Sequence, residues 1–459
     1  MKKIAASAVT LLFSTLLAAC GGDPSDGDKG HNGQNAESAT DTVPATGDAE
    51  VQVDIIDVDN IAERFVKLAL GIGKYDNAFV DAYHGPDDWA QAVEASDVSL
   101  EALDLEVAAL IEALEVLTKP AGGDVRTAML AKNLVAAQTR IKMARGETFS
   151  FDEETARLYD AVAPAYSVAE FDAALAEMEA LLPGEGLLSE RIDAFRQSLA
   201  IPEDKLQAVF DAAIDECRRR TIAHFDLPEN ERFTTGYVTD KPWSGYNWYQ
   251  GDFESLIEVN TDLPVIIDRA VDLGCHEGYP GHHTWNAFVE RDLLKGNGWI
   301  EYSVYPLFSP LSLIAEGSAN YGIELAFPGD EKIKFERDVL YPLAGLDPAK
   351  AEMLAALNKA SRKLSHSRNH IARAYLDEVI TREEAIELTV KYRLVSTERA
   401  EQSMRFIDTY RGYVINYNLG RDLVRAYVER EVAQGVDPWA AFESILTTPT
   451  AASDIASAQ

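Results

Sequence analysis

Apolar residues recur every three or four positions through most of this chain, and this helical spacing constrains the fold more than any other feature. Such stripes are typical of amphipathic α-helices that bury one face. They cover residues 99–119, 202–220, 313–327, 351–363, 368–379, 382–393 and 420–434. With 459 residues and 47% hydrophobic content, the chain can bury a large core. We therefore predict a mainly α fold. No internal repeat or second linker divides residues 54–450, so we predict a single domain there.

One stretch, residues 232–260, breaks the helical pattern. It is rich in aromatic and β-favouring residues, which predicts two or three short strands. Thr261 or Asp262 then offers an N-cap for a helix, with Pro264 in its first turn. This helix runs into the string HEGYPGHH at 276–283. We therefore expect a small sheet, with one edge next to the helix that carries this string.

The N-terminus has the pattern of an export signal. Two lysines precede an apolar run that ends in Leu-Ala-Ala-Cys, as in a bacterial lipoprotein signal. We expect residues 1–20 to be the signal region, with Cys20 lipidated. Residues 21–53 are poor in large apolar side chains and predict a disordered tether. Gly21 follows the cysteine and no aspartate does. By analogy with lipoprotein sorting, this favours the outer membrane, with the protein facing the periplasm.

The charge balance of the chain excludes one class of partner. Acidic residues outnumber basic ones 76 to 42, which gives a formal net charge of -34. Such a surface repels phosphate backbones, so we expect no nucleic acid partner.

Two cysteines remain in the predicted domain, Cys217 and Cys275. An exported protein permits a disulfide between them. Both lie in apolar helical surroundings, however, and buried thiols are the preferred interpretation. The pairing is left open.

The string HEGYPGHH holds three of the chain's eight histidines. A hydrolytic zinc site needs imidazole or carboxylate ligands and a carboxylate base. His276 and Glu277 offer a ligand followed by a base. On a regular helix, neither His282 nor His283 would lie one turn from His276, because two extra residues intervene. A widened or broken helix would bring His282 to the second ligand position. We expect His283 to support the ligands from a second shell.

A second segment, LIAEGSANYGIELAF at 313–327, supports the same chemistry. On a helix, Glu316, Asn320 and Glu324 lie on one face, four residues apart. Glu316 is suited to be the third ligand. Asn320, one turn further on, is suited to orient a histidine from the second shell.

These strings resemble a known bacterial family, the "domain of unknown function 885" family. HEGYPGHH followed by AEGSANYGIE matches its pattern, and VDAYHGPDDW (80–89) and FIDTYRGYVINYNLG (406–420) resemble further segments. The family is grouped with glutamate-ligand zinc metallopeptidases (gluzincin-like) and has largely helical members. The resemblance implies a helical metallopeptidase-like domain, and one Zn²⁺ ion. It also implies that the metal ligands are His276, His282 and Glu316 and that the general base is Glu277.

The resemblance also has departures. Trp285 stands where many members carry glutamine, and the family's Asp-Thr-Gly-x-His string is missing. His366 and His370 lie in the corresponding part of the chain, and we interpret both as solvated helix histidines.

A tyrosine near the metal could donate a hydrogen bond to a developing oxyanion. Tyr417 matches a Tyr-x-x-Gly of the family and is our catalytic candidate, with Tyr410 and Tyr413 as rivals. By analogy with other zincins, the strand ending near Asn260 is expected to pair with an extended peptide.

Taken together, the sequence predicts a lipid-anchored, zinc-dependent hydrolase of the cell envelope. We expect a peptidase that acts on a peptide or peptide-like substrate and uses a metal-activated water with Glu277 as general base. The alternatives are a metal-dependent hydrolase of non-peptide amides or esters and a non-catalytic binding lipoprotein. The sequence leaves the substrate, the endo- or exopeptidase mode and the oligomeric state open.

Overall fold

Helices make up most of this protein in a computed structural model, which describes residues 57–119, 123–241 and 243–456. The α-helices are α1 (Val58–Gly73), α2 (Asp87–Glu94), α3 (Leu100–Thr118), α4 (Val125–Ala144), α5 (Phe151–Tyr159), α6 (Val168–Leu181), α7 (Leu188–Gln197), α8 (Leu206–Thr221), α9 (Asp268–Leu273), α10 (His282–Phe288), α11 (Pro310–Ala326), α12 (Glu331–Phe335), α13 (Tyr341–Ala344), α14 (Ala351–Lys363), α15 (Ser367–Leu376), α16 (Arg382–Arg393), α17 (Thr397–Tyr410), α18 (Ile415–Ala433), α19 (Pro438–Thr447) and α20 (Ala452–Ile455). The predicted mainly α fold is confirmed. The predicted signal region, Cys20 and the tether lie outside the described residues.

The strands form two small sheets. They are β1 (Val80–Tyr83), β2 (Arg232–Val238), β3 (Gly245–Gly251), β4 (Glu254–Asn260) and β5 (Val304–Pro306). β1 pairs with β5 in antiparallel fashion. In the other sheet, the order is β2-β4-β3, with β2 parallel and β3 antiparallel to β4. The expectation that β4 pairs with a peptide is therefore wrong, because both of its edges are already taken. The edge strand that contacts α10 is β3.

Most of the predicted helices form where the apolar spacing placed them. Of the five residues on the apolar stripe of α3, Ile111 is half-buried and four are buried: Leu103, Val107, Leu110 and Leu114. The Ser99 side chain accepts a hydrogen bond from the backbone N–H of Ala102 and caps the helix. The apolar face and the cap of this helix both come from residues close together in the sequence. The apolar spacing is therefore enough to predict such a helix.

The helix predicted to begin at Thr261 or Asp262 begins later, at Asp268. The intervening backbone forms a bridge with a distant segment: Ile201 N–H donates to the Val265 carbonyl at 2.8 Å, and Ile267 N–H donates to the Leu199 carbonyl at 3.0 Å. The Asp262 carboxylate accepts from the backbone N–H of Asp240 instead of capping a helix. A long-range pairing thus overrides the local helix signal.

Cys217 and Cys275 form a disulfide, so the interpretation as buried thiols is wrong. Cys217 lies in α8, and Cys275 immediately precedes His276. The two segments approach closely at Gly274, where an added Cβ would lie 3.2 Å from Cγ1 of Ile214. This approach brings the two Cα atoms to 5.5 Å, within the usual range for a disulfide.

One large cluster of buried apolar side chains draws on helices from α1 to α20, and a smaller one lies among α6, α7, α14 and α16. Within the large cluster, α11 crosses α18 at unusually short range. A Cβ added to Gly317 would lie 2.5 Å from the carbonyl carbon of Gly420, so glycine is needed there. Within the described residues, no helix is both long enough and apolar enough to cross a membrane.

The disulfide should contribute measurably to stability. It joins residues 58 positions apart, and loop-closure entropy over such a length corresponds to about 4 kcal/mol, with about 2–4 kcal/mol typically measured. We expect the Cys217→Ala, Cys275→Ala double variant to lose about 2–4 kcal/mol in urea unfolding. Unfolding of the unaltered protein with and without a reductant is the matched comparison. Equal stability under both conditions would contradict the prediction.

Candidate metal centre

The string HEGYPGHH interrupts a helix. Helix α9 continues into a π-helical turn, Gly274–Gly278, which carries His276 and Glu277. Tyr279 is extended, the Tyr279–Pro280 peptide is cis, and α10 begins at His282. The chain is thus both widened and broken between the two histidines, and the break brings the second histidine back beside the first.

Gly281 is where the returning chain meets the turn. Its backbone N–H donates to the carbonyl of Cys275 at 3.0 Å. A Cβ at this position would lie 1.8 Å from the carbonyl oxygen of His276. Only glycine allows the backbone to approach this closely, and the approach fixes the separation of the two histidines.

Three side chains converge here and are called the His–Glu cluster: His276, His282 and Glu316. Oε2 of Glu316 lies 3.4 Å from Nε2 of His276 and 3.8 Å from Nε2 of His282. The imidazole rings stand 4.7 Å apart and nearly perpendicular, at 88°. One ligand atom from each side chain can be chosen so that all three lie within 4.8 Å of one another. The structure therefore brings together the three residues that the sequence predicts as ligands.

The Glu316 carboxylate is buried, with 7% of the residue exposed. Oε1 accepts a hydrogen bond from the Tyr413 hydroxyl at 3.0 Å. Oε2 has no hydrogen-bond partner within the described part of the chain. Burial raises the pKa of Glu316, but the neighbouring His276 and His282 outweigh burial and lower it. An ionised, buried oxygen without a donor, beside two imidazoles, fits a bound cation.

Glu277 lies beside the His–Glu cluster. Oε1 of Glu277 is 4.0 Å from Nε2 of His276. Burial, and then the Glu316 charge, raise its pKa to about 7, although His276 opposes the shift. Its backbone carbonyl accepts a 2.7 Å hydrogen bond from the side chain of Asn247. Strand β3 passes close by, since a Cβ on Gly245 would lie 3.5 Å from Oε1 of Glu277.

The pKa values of the two histidines of the cluster are shifted in opposite directions. Burial, together with the neighbouring His276, lowers the pKa of His282 to about 4. Burial also disfavours the charged form of His276, but the Glu316 carboxylate outweighs this effect and raises its pKa. His282 is therefore in the neutral form that coordinates a metal, and a proton held by His276 would have to leave on metal binding.

His283 points away from the His–Glu cluster. Its Nδ1 lies 2.8 Å from the Ser255 hydroxyl and its Nε2 lies 3.0 Å from the Glu231 carboxylate. Glu231 also accepts from Tyr279 and from Arg218. The expected support of the ligands by His283 is thus corrected: both ring nitrogens are engaged elsewhere, and this buried network fastens the motif to β4 and to the segment before β2.

The sequence led us to expect that Asn320 orients a histidine, and this expectation is wrong. Its side-chain amide donates to the backbone carbonyl of Glu316 at 2.8 Å. The interaction is local to α11, because residues four apart on a helix lie next to each other. Asn320 therefore acts on the backbone that carries Glu316.

Among the three candidate tyrosines, Tyr413 makes the direct contact with the cluster, through Glu316. Tyr417 packs on it, with the ring centroids 5.7 Å apart. Burial, Glu316 and Glu277 raise the pKa of Tyr417 well above its usual value, while Arg368 opposes them. Tyr417 thus lies within electrostatic range of both carboxylates, and its catalytic role stays a prediction.

His366, just before α15, and His370, within it, are half-buried and are not fully solvated, contrary to expectation. His366 stacks on Tyr166 and its Nε2 lies 2.8 Å from the Asp422 carboxylate. His370 packs edge-on against Phe171, and burial lowers its pKa. Both are packing residues outside the His–Glu cluster.

Some residues near the cluster were not predicted from the sequence. They are Asn247 and the half-buried, hydrogen-bonded pair Asp81–Tyr246. Asp81 lies within VDAYHGPDDW, but nothing in that string indicated a role at the site. Burial raises the pKa of Asp81, and the Glu316 charge adds to the shift. These residues come from β1 and β3, and only the tertiary fold brings them near α11.

No family model matches the chain, and no curated protein matches it, so the family suggested by the motifs stays a prediction. Among solved structures, a presumed lipoprotein from Colwellia psychrerythraea gives a TM-score of 0.48 at 14% identity, covering 87% of this chain and 75% of that chain. A presumed lipoprotein of unknown function from Shewanella oneidensis gives 0.45 at 14%, covering 86% and 77%. The protein named BsuCP gives 0.37 at 11%, covering 85% and 87%. These likenesses are remote and carry no inference about this chain.

Replacing Gly281 should disrupt the break between the histidines. In Gly281→Ala the new Cβ would collide with backbone, which cannot move aside cheaply, so we expect a loss of about 3 kcal/mol or more in urea unfolding. Gly236→Ala is the matched control, because its Cβ would meet its nearest side-chain neighbour at an ordinary 3.8 Å. A Gly281→Ala variant as stable as this control would show that the break is looser than described.

Proposed function

We propose that this chain is a metal-dependent hydrolase that holds one Zn²⁺ ion at the His–Glu cluster and acts on peptides. The observation that carries the proposal is the buried Oε2 of Glu316, which has no hydrogen-bond partner among the described residues and faces two imidazole nitrogens. Two histidines and one glutamate are a common protein ligand set of catalytic zinc, which leaves a coordination position for water or substrate.

The residues around the cluster have separable roles in this proposal. When bound, the metal supplies a Lewis acid that polarises a carbonyl and makes water more acidic. Tyr413 occupies Oε1 of Glu316 and thereby leaves Oε2 for the metal. Glu277, buried and next to His276, accepts the proton of the attacking water and passes it to the leaving group. The cation's charge would lower the pKa of Glu277 and favour the ionised base.

Strand β3 supports a peptide as substrate over a simple ester. It is an edge strand of its sheet, and Asn247 and Gly245 place it directly beside Glu277. An extended peptide can add to such an edge through backbone hydrogen bonds, which an isolated ester group does not offer. This edge replaces β4, on which the sequence had led us to expect pairing.

We further propose that the enzyme belongs to the family suggested by its motifs and works at the outer membrane, facing the periplasm. The motifs HEGYPGHH and AEGSANYGIE support the family, and the N-terminal export pattern ending at Cys20 supports a lipid anchor. The competing proposal, a non-catalytic binding lipoprotein, gives no reason for a buried base at Glu277.

The purified protein should contain about one equivalent of Zn²⁺, measured by inductively coupled plasma mass spectrometry. Loss of a residue that only supports a metal ligand typically weakens metal affinity by about 10–100-fold. Loss of a direct ligand in His282→Ala or Glu316→Ala should therefore weaken it by more than about 100-fold. His370→Ala is the control, because this histidine packs against Phe171 outside the cluster. Equal metal content in all three variants would rule out the assigned site.

Glu277→Gln should keep the metal and abolish most turnover. The amide is isosteric but cannot accept a proton, and general-base catalysis typically contributes about 10²–10⁴-fold. We expect kcat to fall by that factor in digests of a broad peptide library followed by mass spectrometry, with metal content unchanged. Turnover that survives the substitution would exclude Glu277 as base. A wild-type protein that binds the metal but cleaves no peptide would favour the binding lipoprotein.

A further inference from the structure

Arg368 lies close to the proposed centre without belonging to it. It is a residue of α15, and its guanidinium carbon lies 4.8 Å from the ring centroid of Phe406 and 5.5 Å from that of Tyr417. Tyr417 in turn packs on Tyr413, which donates to Glu316. Two aromatic rings therefore separate the cation from the His–Glu cluster.

This arginine has no carboxylate partner in the described part of the chain, and its Nε is buried without an acceptor. Arg196 and Arg393 donate to the neutral side chains of Asn358 and Ser403, and several other arginines packed into the protein meet an acidic side chain. The pairs are Arg126–Glu301, Arg140–Asp76, Arg373–Asp152, Arg411–Glu154 and Arg425–Glu324. Unlike these arginines, Arg368 has no hydrogen-bonded or acidic side-chain partner within the described residues, in a chain with 76 acidic and 42 basic residues. A desolvated charge is costly unless it is paired, so the site favours an anion from outside the chain.

The charges on the two sides of Tyr417 have opposite signs. Burial raises the pKa of its hydroxyl, Glu316 and Glu277 raise it further, and Arg368 opposes them. Burial lowers the pKa of Arg368 itself, while Tyr417 and Glu316 raise it. Because Tyr417 packs on both Tyr413 and Arg368, it stands between the proposed reaction centre and this cation. An extended peptide advances about 3.5 Å per residue, so an end bound at Arg368 would lie a few residues from the cleaved bond at most.

The guanidinium is also preorganised. Its planar fork matches a carboxylate with two parallel hydrogen bonds, and the contacts with the Phe406 and Tyr417 rings restrict its movement. A fixed fork loses little side-chain entropy on binding. A lysine in this position would provide charge without the bidentate geometry.

We propose that Arg368 binds the free α-carboxylate at the C-terminus of the substrate, so that the enzyme removes residues from peptide C-termini. The inference rests on the proposed function and deepens it by naming the substrate class. Carboxylate recognition at Arg368 gives an exopeptidase mode, which the ligand and base residues alone do not specify.

The experiment compares N-acetylated tripeptides offered as equimolar pairs, one of each pair a free acid and the other a C-terminal amide. Binding is measured by equilibrium dialysis and mass spectrometry on full-length, zinc-loaded Glu277→Gln protein, so that it does not depend on turnover. We expect the acid to bind about 10- to 100-fold more tightly, the range of a charge-assisted bidentate contact. Adding Arg368→Met should abolish this preference, and Arg368→Lys should retain part of it.

Arg373→Met is the matched control, since it lies in the same helix but is paired with Asp152; it should keep the full preference. Equal binding of acid and amide, or no binding of either, overturns the role of Arg368. Cleavage of the same pairs by the wild-type enzyme tests the proposed function separately. Cleavage of acid and amide at equal rates would leave the peptidase intact and overturn only the carboxylate site. A preference that survives Arg368→Met would assign it to another residue.

Discussion

The position of Glu316 depends on a contact between two helix backbones. Helices α11 and α18 touch at Gly317 and Gly420, where neither residue leaves room for a side chain. This crossing buries the carboxylate of Glu316 and brings the segment with Tyr413 within hydrogen-bonding distance of it. On its other side, α11 meets the broken motif, because Gly322 accommodates Pro280. Two glycine contacts thus place a single helix between the residues that hold Glu316 and the histidines that face it.

Much of the helical fold could be predicted because its causes are local. An apolar stripe and a cap, as in α3 with Ser99, lie within neighbouring residues. The errors arose where distant segments compete for the backbone or for side chains. Residues 265–267 bond to residues 199–201 instead of starting a helix. The Cys217–Cys275 disulfide depends on how closely α8 approaches the π-helical turn, which no spacing within one segment reveals.

The candidate site shows the same division. His276 and His282 were selected by a string that holds three of the chain's eight histidines, and Glu316 by its place on an apolar helix face. The structure brings all three into the His–Glu cluster. The residues around them were harder to assign. His283 lies next to His282 in sequence, yet its ring contacts Glu231 and lies outside the His–Glu cluster. Adjacent positions on a helix differ by about 100° in direction, so the partner of His283 depended on tertiary packing that the sequence does not display.

The charges near Tyr417 differ from those of the protein as a whole. A net charge of -34 implies a negative surface, and two further carboxylates, Glu277 and Glu316, are buried together at the candidate centre. Such a pair favours a cation between or beside its members, since burial and mutual repulsion both penalise a second negative charge. Arg368 lies on the far side of the ring, within the electrostatic range of Glu316 but without an ion pair to it among the described residues. The metal would neutralise the carboxylates on one side of Tyr417, and the anionic end of a substrate would neutralise Arg368 on the other. A substrate with a carbonyl and an anionic end could therefore contact both the metal and Arg368. The orientation of a bound peptide then follows from the order of these charges, with its anionic end toward α15.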